Sequence, residues 1–249
     1  MKFRYALAAV GALAALSVRS LEADPAPMRS ISVVTIDVPH YAGGYTEIDL
    51  DEAFLARLSP KFTLVAEAGV KRYAPDNVVP RGGFGAAWDF GGGFYADGLF
   101  LFGWASALSL PEYKAGLAFN YETDTAYASA RSVLRSEQGS FSSVSTFMGQ
   151  WTWSKGFRVL GMYGFAWERD VGLGHSVWLE AAAPLLPYLK PRLGGTLSRE
   201  TNGDLYATIR AGLEVLPWRD VKILCIAEPY FLDYSGAFTM TVAADVSFR

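Results

Sequence analysis

The sequence predicts an all-β protein: an antiparallel transmembrane β-barrel of about 12–14 strands behind a cleaved signal peptide. Three observations predict it. The chain opens on an export signal and then contains no apolar run of helical membrane length. Its remainder is a succession of period-two segments separated by turn chemistry. Those segments are long, and aromatic residues gather toward their ends.

The export signal comes first. Met1-Lys2-Phe3-Arg4 gives a positive start, and Ala6 to Val18 is a short run rich in Ala and Leu. About 13 apolar residues fall short of the ~20 that a spanning helix needs, so removal is expected, with Ala23 as the last residue removed. The expected organisation is residues 1–23 as signal peptide and 24–249 as one barrel domain. No cysteine follows the apolar run, and Cys225 is the only cysteine, so neither a lipid anchor nor an intrachain disulfide is expected.

Strands are expected near 28–38, 45–57, 61–73, 82–90, 98–107, 113–122, 126–135, 141–153, 156–168, 175–182, 189–200, 203–215, 220–232 and 236–248. In 61–73, Phe62, Leu64, Ala66, Ala68 and Val70 oppose Lys61, Thr63, Glu67 and Lys71. In 113–122, Tyr113 to Tyr121 opposes Lys114, Gly116, Asn120 and Glu122. In 156–168, Phe157, Val159, Tyr163, Phe165 and Trp167 oppose Arg158, Gly164 and Glu168. The clearest alternation runs from Leu205 to Val215, with Tyr206, Thr208, Arg210, Gly212 and Glu214 on the second face. Ser59-Pro60-Lys61, Ser154-Lys155-Gly156, Pro184 to Pro187, Thr201 to Asp204 and Pro217 to Asp220 supply turns. Fourteen segments are an even number, as a closed bacterial barrel requires; losing the first segment, which Pro39 follows closely, and merging the pair around Glu122 to Thr125 leads to twelve.

Alternation also fits a soluble β-sandwich, whose apolar face is a core. Segments of 10–13 residues are long for a sandwich and suit tilted membrane strands of ~9–11 residues. Tyr45, Tyr73, Trp151, Trp153, Trp167, Trp218 and Tyr230 stand where interfacial girdles belong. The last segment alternates to its end, and Thr241, Ala243, Val246 and Phe248 follow the polar–x–Gly–x–x–apolar–x–aromatic pattern of a closing strand. In this the chain resembles outer-membrane β-barrel proteins, with Ala243 in place of the usual Gly and Arg249 after the terminal aromatic. Leu64 to Tyr73 and Leu110 to Gly116 also resemble strands of the YaiO-like family. The resemblance implies a bacterial outer-membrane location, with outer-membrane lipids and the barrel-insertion machinery as partners. It carries over no catalytic motif.

Charge excludes some classes. Lys and Arg number 22 against 25 Asp and Glu, so nothing points to nucleic acid. Two histidines without Cys or His neighbours at ligand spacing predict no metal site, and no cofactor is expected. His175 is followed by Ser176, which points to the opposite face, so a His-x-Ser hydrolase pair is lacking. His40, near Asp37 and Asp49, reads as a loop histidine. No catalytic residue is assigned.

The lumen candidates are Glu47, Asp49, Asp51, Arg57, Lys71, Arg158, Arg210 and Glu214. Glu47, Asp49 and Asp51 alternate along one strand; they either select cations or bind Ca²⁺, or pair with cations such as Lys71, Lys114, Arg131, Arg135, Lys190 and Arg192. Three classes stay open: a narrow channel for small solutes, a structural or envelope-related barrel, and an outer-membrane enzyme acting on lipid or peptide. A soluble periplasmic sandwich that binds a ligand is the alternative to the barrel itself.

Overall fold

In the computed structural model the chain is a closed barrel of fourteen antiparallel strands, each paired with its sequence neighbours. The structure describes residues 28–248 apart from 39–45, 75–76, 106–109, 138–139, 154–155, 170 and 219. The expected signal peptide, His40 and Tyr45 lie outside the described residues. In chain order the strands are β1 (Met28–Val38), β2 (Glu47–Ser59), β3 (Phe62–Ala74), β4 (Asn77–Gly91), β5 (Phe94–Ala105), β6 (Leu110–Glu122) and β7 (Ala126–Glu137). They continue as β8 (Ser140–Thr152), β9 (Arg158–Glu168), β10 (Gly172–Ala182), β11 (Leu189–Arg199), β12 (Leu205–Trp218), β13 (Val221–Leu232) and β14 (Phe238–Phe248). β1 and β14 close the ring in unbroken register from Met28↔Phe248 to Val38↔Phe238, which leaves no sheet edge. Both ends of the described chain therefore sit at one end of the barrel, called here the terminal end; the other is the loop end.

All fourteen expected strands are present, and Thr123 to Thr125 forms a turn that keeps β6 and β7 separate. Two begin four or five residues earlier than periodicity predicts. β4 starts at Asn77 and carries Pro80 with its side chain outward, in register with Val70. β5 starts at Phe94, directly after a turn in which Gly91, Gly92 and Gly93 all have positive φ (84°, 65° and 84°). Three successive positive φ values suit glycine alone, so the turn is tight and the strands run up to it.

Every strand has an outward apolar face. Trp151, Trp153, Trp218, Trp88 and Phe94 stand exposed on it toward the terminal end, and Trp167 toward the loop end. Tyr230 is a correction to the expected girdle. It faces inward and is buried, its ring 5.4 Å from that of Tyr206, because it shares parity with Glu228 rather than with Pro229 and Phe231. Ionisable acids and bases on the outward strand faces are few: Glu52, Arg72, His175 and Arg199 among the described residues. Glu52 sits halfway along β2 on the outward face. Its carboxylate accepts hydrogen bonds from Ser30 and Ser32 on β1, so all three groups are satisfied within the wall.

Candidate functional site

The inner face carries the chemistry, because alternation turns the second residue of each pair toward the barrel axis. The inner charges form several separate groups. Arg81 on β4 reaches across β3 to β2, where its Nη2 contacts Asp49 and lies 2.7 Å from Asp51 Oδ1. Lys71 Nζ is 3.8 Å from Glu47 Oε2. The three carboxylates expected to project together do so, and they meet cations from neighbouring strands. Gly69 makes this possible: a Cβ there would stand 2.2 Å from Asp51 Oδ1.

Further round, Arg131 Nη2 lies 3.1 Å from Asp97 Oδ1, and Asn120 Nδ2 donates to Asp97 Oδ2 at 2.8 Å. Tyr127 donates its hydroxyl to Asn120 at 3.0 Å. On the opposite wall Glu180 of β10 takes two guanidinium groups. Arg192 Nε donates to Oε1 at 2.5 Å, and Arg210 Nε lies 3.4 Å from Oε2. Arg210 also lies 3.7 Å from Glu228 and stacks 4.7 Å over the Trp178 ring. Thr208 donates to Glu228 at 2.6 Å. Nearer the terminal end, Glu214 draws Arg158 (3.8 Å) and Lys190 (3.6 Å), while Asp245 draws Arg29 (2.5 Å) and Lys222 (3.5 Å).

Of the eight lumen candidates, seven join these inner ion pairs. Arg57 is placed differently. Its guanidinium turns to the β2–β3 turn and donates to the carbonyls of Ser59 (3.2 Å) and Pro60 (2.7 Å). Sequence reasoning missed Arg81, the partner of both aspartates, because the expected strand began at Gly82, one residue too late. The signal was present: Arg81 shares parity with Gly83, Gly85 and Ala87.

The two walls differ in packing. Glu180 and Arg192 are each 2% exposed, whereas Arg81, Arg131 and Asp97 are 19%, 24% and 29% exposed. Tyr127, Met148, Leu160, Met162 and Trp178 form an apolar cluster behind the buried ions. On β4 and β6 the inner positions include Gly83, Gly85, Ala87, Gly116 and Ala118, which project little. Side chains fill the β9–β13 arc, while the β4–β7 arc combines these small positions and the partly exposed Arg81, Asp97 and Arg131 with buried inner residues such as Val79, Leu101, Asn120, Val133 and Arg135.

His175 does not belong to this interior. It faces outward on β10, with Nδ1 2.8 Å from the Tyr163 hydroxyl, while Ser176 is buried on the inner face. The pair cannot meet.

The chain matches no protein-family model and no curated protein by sequence. Its fold is shared with solved outer-membrane channels. The CymD monoaromatic hydrocarbon channel superposes with a TM-score of 0.68 at 11% identity, over 90% of this chain and 89% of that one. The deltaS2 mutant of the TodX monoaromatic hydrocarbon channel gives 0.65 at 10% identity, over 93% of each chain. The COG4313 outer membrane channel from Pseudomonas putida F1 gives 0.56 at 12% identity, over 92% of this chain and 98% of that one. At such identities the likeness is one of fold, and it assigns the chain to the architecture of outer-membrane barrels.

Proposed function

We propose that this chain is an integral protein of a bacterial outer membrane and passes small solutes through a narrow, charge-lined lumen. The observation that carries the reading is the contrast between the two arcs of the inner face. Eight strands enclose a space that side chains just fill, and 16–18 leave an aqueous channel. With fourteen, one arc of long side chains cannot close the whole section. The partly exposed Arg81, Asp97 and Arg131 of the β4–β7 arc, with Asp51 of β2, border the proposed passage. Glu47, Asp49, Lys71, Arg158, Arg210 and Glu214 set the field along the passage, and Arg57 stands at its terminal mouth.

The connections support this. Turns such as Pro60-Lys61 and Gly92-Gly93 are too short to fold into the barrel. The test is single-channel recording in planar bilayers with protein whose folding is verified by heat-modifiable migration. Discrete conductance steps are expected; a folded, inserted barrel that never conducts overturns the reading. The second reading, a structural or envelope-related barrel, draws on the buried Glu180–Arg192–Arg210 cluster and predicts that silence. The narrower YaiO-like affiliation rests on the segments Leu64 to Tyr73 and Leu110 to Gly116, and we hold it as part of this proposal. The closing-strand residues Thr241, Ala243, Val246 and Phe248 fit a signal for the insertion machinery, and the signal peptide would deliver the chain to it.

A further inference from the structure

We propose that the outer wall holds a phosphate-bearing lipid headgroup at a site formed by Arg199, His175 and Tyr163. The inference takes the membrane-embedded barrel as given and is independent of conduction. The outward strand faces keep their charges few, and the single outward carboxylate among the described residues, Glu52, is tied down by two serines. The outward basic residues are treated differently. Arg72, His175 and Arg199 all lie within about one strand-end of the loop end, at the depth where headgroups begin. The guanidinium of Arg199 makes no hydrogen bond or ion pair among the described residues.

Arg199 is not isolated, however. It stands directly opposite His175 in the β10–β11 register, so the two side chains leave the wall side by side. Tyr163 on β9 meets His175 with its hydroxyl 2.8 Å from Nδ1 and its ring 6.2 Å away, nearly parallel. That contact fixes the imidazole and leaves Nε2 directed away from it. With the phenol donating to Nδ1, Nε2–H and the guanidinium fork present donors side by side to a tetrahedral oxyanion. Toward the barrel middle the same faces continue as Val177, Leu179 and Leu197, all exposed, which suit acyl chains. Cation above and apolar strip below is the chemistry of a phosphorylated lipid, and a soluble phosphate would use only half of it.

The test is native mass spectrometry of the purified full-length barrel in an uncharged detergent, titrated with dioleoyl phosphatidic acid. Parallel arms use dioleoyl phosphatidylcholine and inorganic phosphate. A one-to-one phosphatidic acid complex is expected at concentrations where the other two bind poorly. Arg199→Gln should weaken it about tenfold, the size expected for one charge-assisted hydrogen bond. Tyr163→Phe should weaken it by less, and Arg72→Gln, which lacks such neighbours, by under about twofold. Heat-modifiable migration of each variant verifies that its barrel is closed. Equal binding by the wild type and Arg199→Gln overturns the site. Inorganic phosphate binding as tightly as the lipid overturns the lipid as occupant. Neither result bears on conductance, so failure here and failure of the channel reading are separable.

Discussion

Replacing Glu180 with Gln tests whether the buried arc holds the barrel together. The substitution keeps shape and removes one charge. Arg192 then loses the carboxylate that accepts its Nε at 2.5 Å, and Arg210 loses a partner at 3.4 Å while keeping Glu228 at 3.7 Å. Two unit charges about 4 Å apart interact by about 4 kcal/mol at an effective dielectric constant of about 20. Removing one member of a buried pair costs about 3–5 kcal/mol, chiefly because an uncompensated charge stays behind. Arg192, 2% exposed, has no water to fall back on. The expected loss is therefore about 3 kcal/mol, a factor above about 100 in the folding equilibrium. Equilibrium urea unfolding of the barrel in phosphatidylcholine vesicles, followed by tryptophan fluorescence, measures it. The double variant Glu180→Leu with Arg192→Leu leaves no orphaned charge on that pair and should be more stable than Glu180→Leu alone. A Glu180→Gln barrel within about 0.5 kcal/mol of the wild type, or a double variant with simply additive losses, refutes the argument.

Other substitutions probe different parts of the molecule. Arg81→Gln leaves Asp49 and Asp51 facing the passage without their shared cation, so reversal potentials in a salt gradient should shift toward cation preference. Gly83→Ala should cost about 1–3 kcal/mol in the same unfolding assay, since its Cβ would meet the Phe100 carbonyl oxygen at 2.2 Å; Gly82→Ala, with 3.6 Å to its nearest neighbour, should cost little. Leu232 has a φ of 64° in the β13–β14 turn, so Leu232→Gly should stabilise the barrel by about 1 kcal/mol. An unchanged or lower unfolding midpoint for that variant would show that the turn is not strained.

The fold was legible because the outer wall obeys a strict rule. Lipid excludes unpaired polar groups, so every outward position from Phe238 to Phe248 or from Leu205 to Val215 had to be apolar or small, and the alternation survives without any alignment. The interior was legible only in part. Its residue types announced a charged lumen, but pairing depends on which strand reaches across which neighbour. Arg81 spans β3 because Gly69 leaves space beneath it, a relation between positions 12 residues apart that no periodicity encodes. Tyr230 misled for the opposite reason, and Trp178 shares its inward placement. An aromatic side chain reads as lipid-facing by composition, yet parity places both inside, where Trp178 backs Arg210 and Tyr230 packs on Tyr206.

That interior placement of large residues explains how a fourteen-strand ring keeps its shape with short connections. A barrel of this size encloses more space than one layer of small side chains fills, and an empty interior gains nothing from packing. Leu160, Met162, Trp178, Arg192 and Arg210 build inward from adjacent strands, so their mutual contacts stiffen that arc as a slab. On the opposite arc Gly83 and Gly85 permit close backbone approach beside the buried side chains of Val79, Leu101 and Val133. Stiffness and openness are thus assigned to different strands. A perturbation of the slab should therefore lower stability with little change in conductance, and a perturbation of Asp97 or Arg131 should do the reverse. Measuring both quantities on Glu180→Gln and Arg131→Gln separates the two roles; conductance that collapses in the first and stays fixed in the second would show that water runs along the other wall.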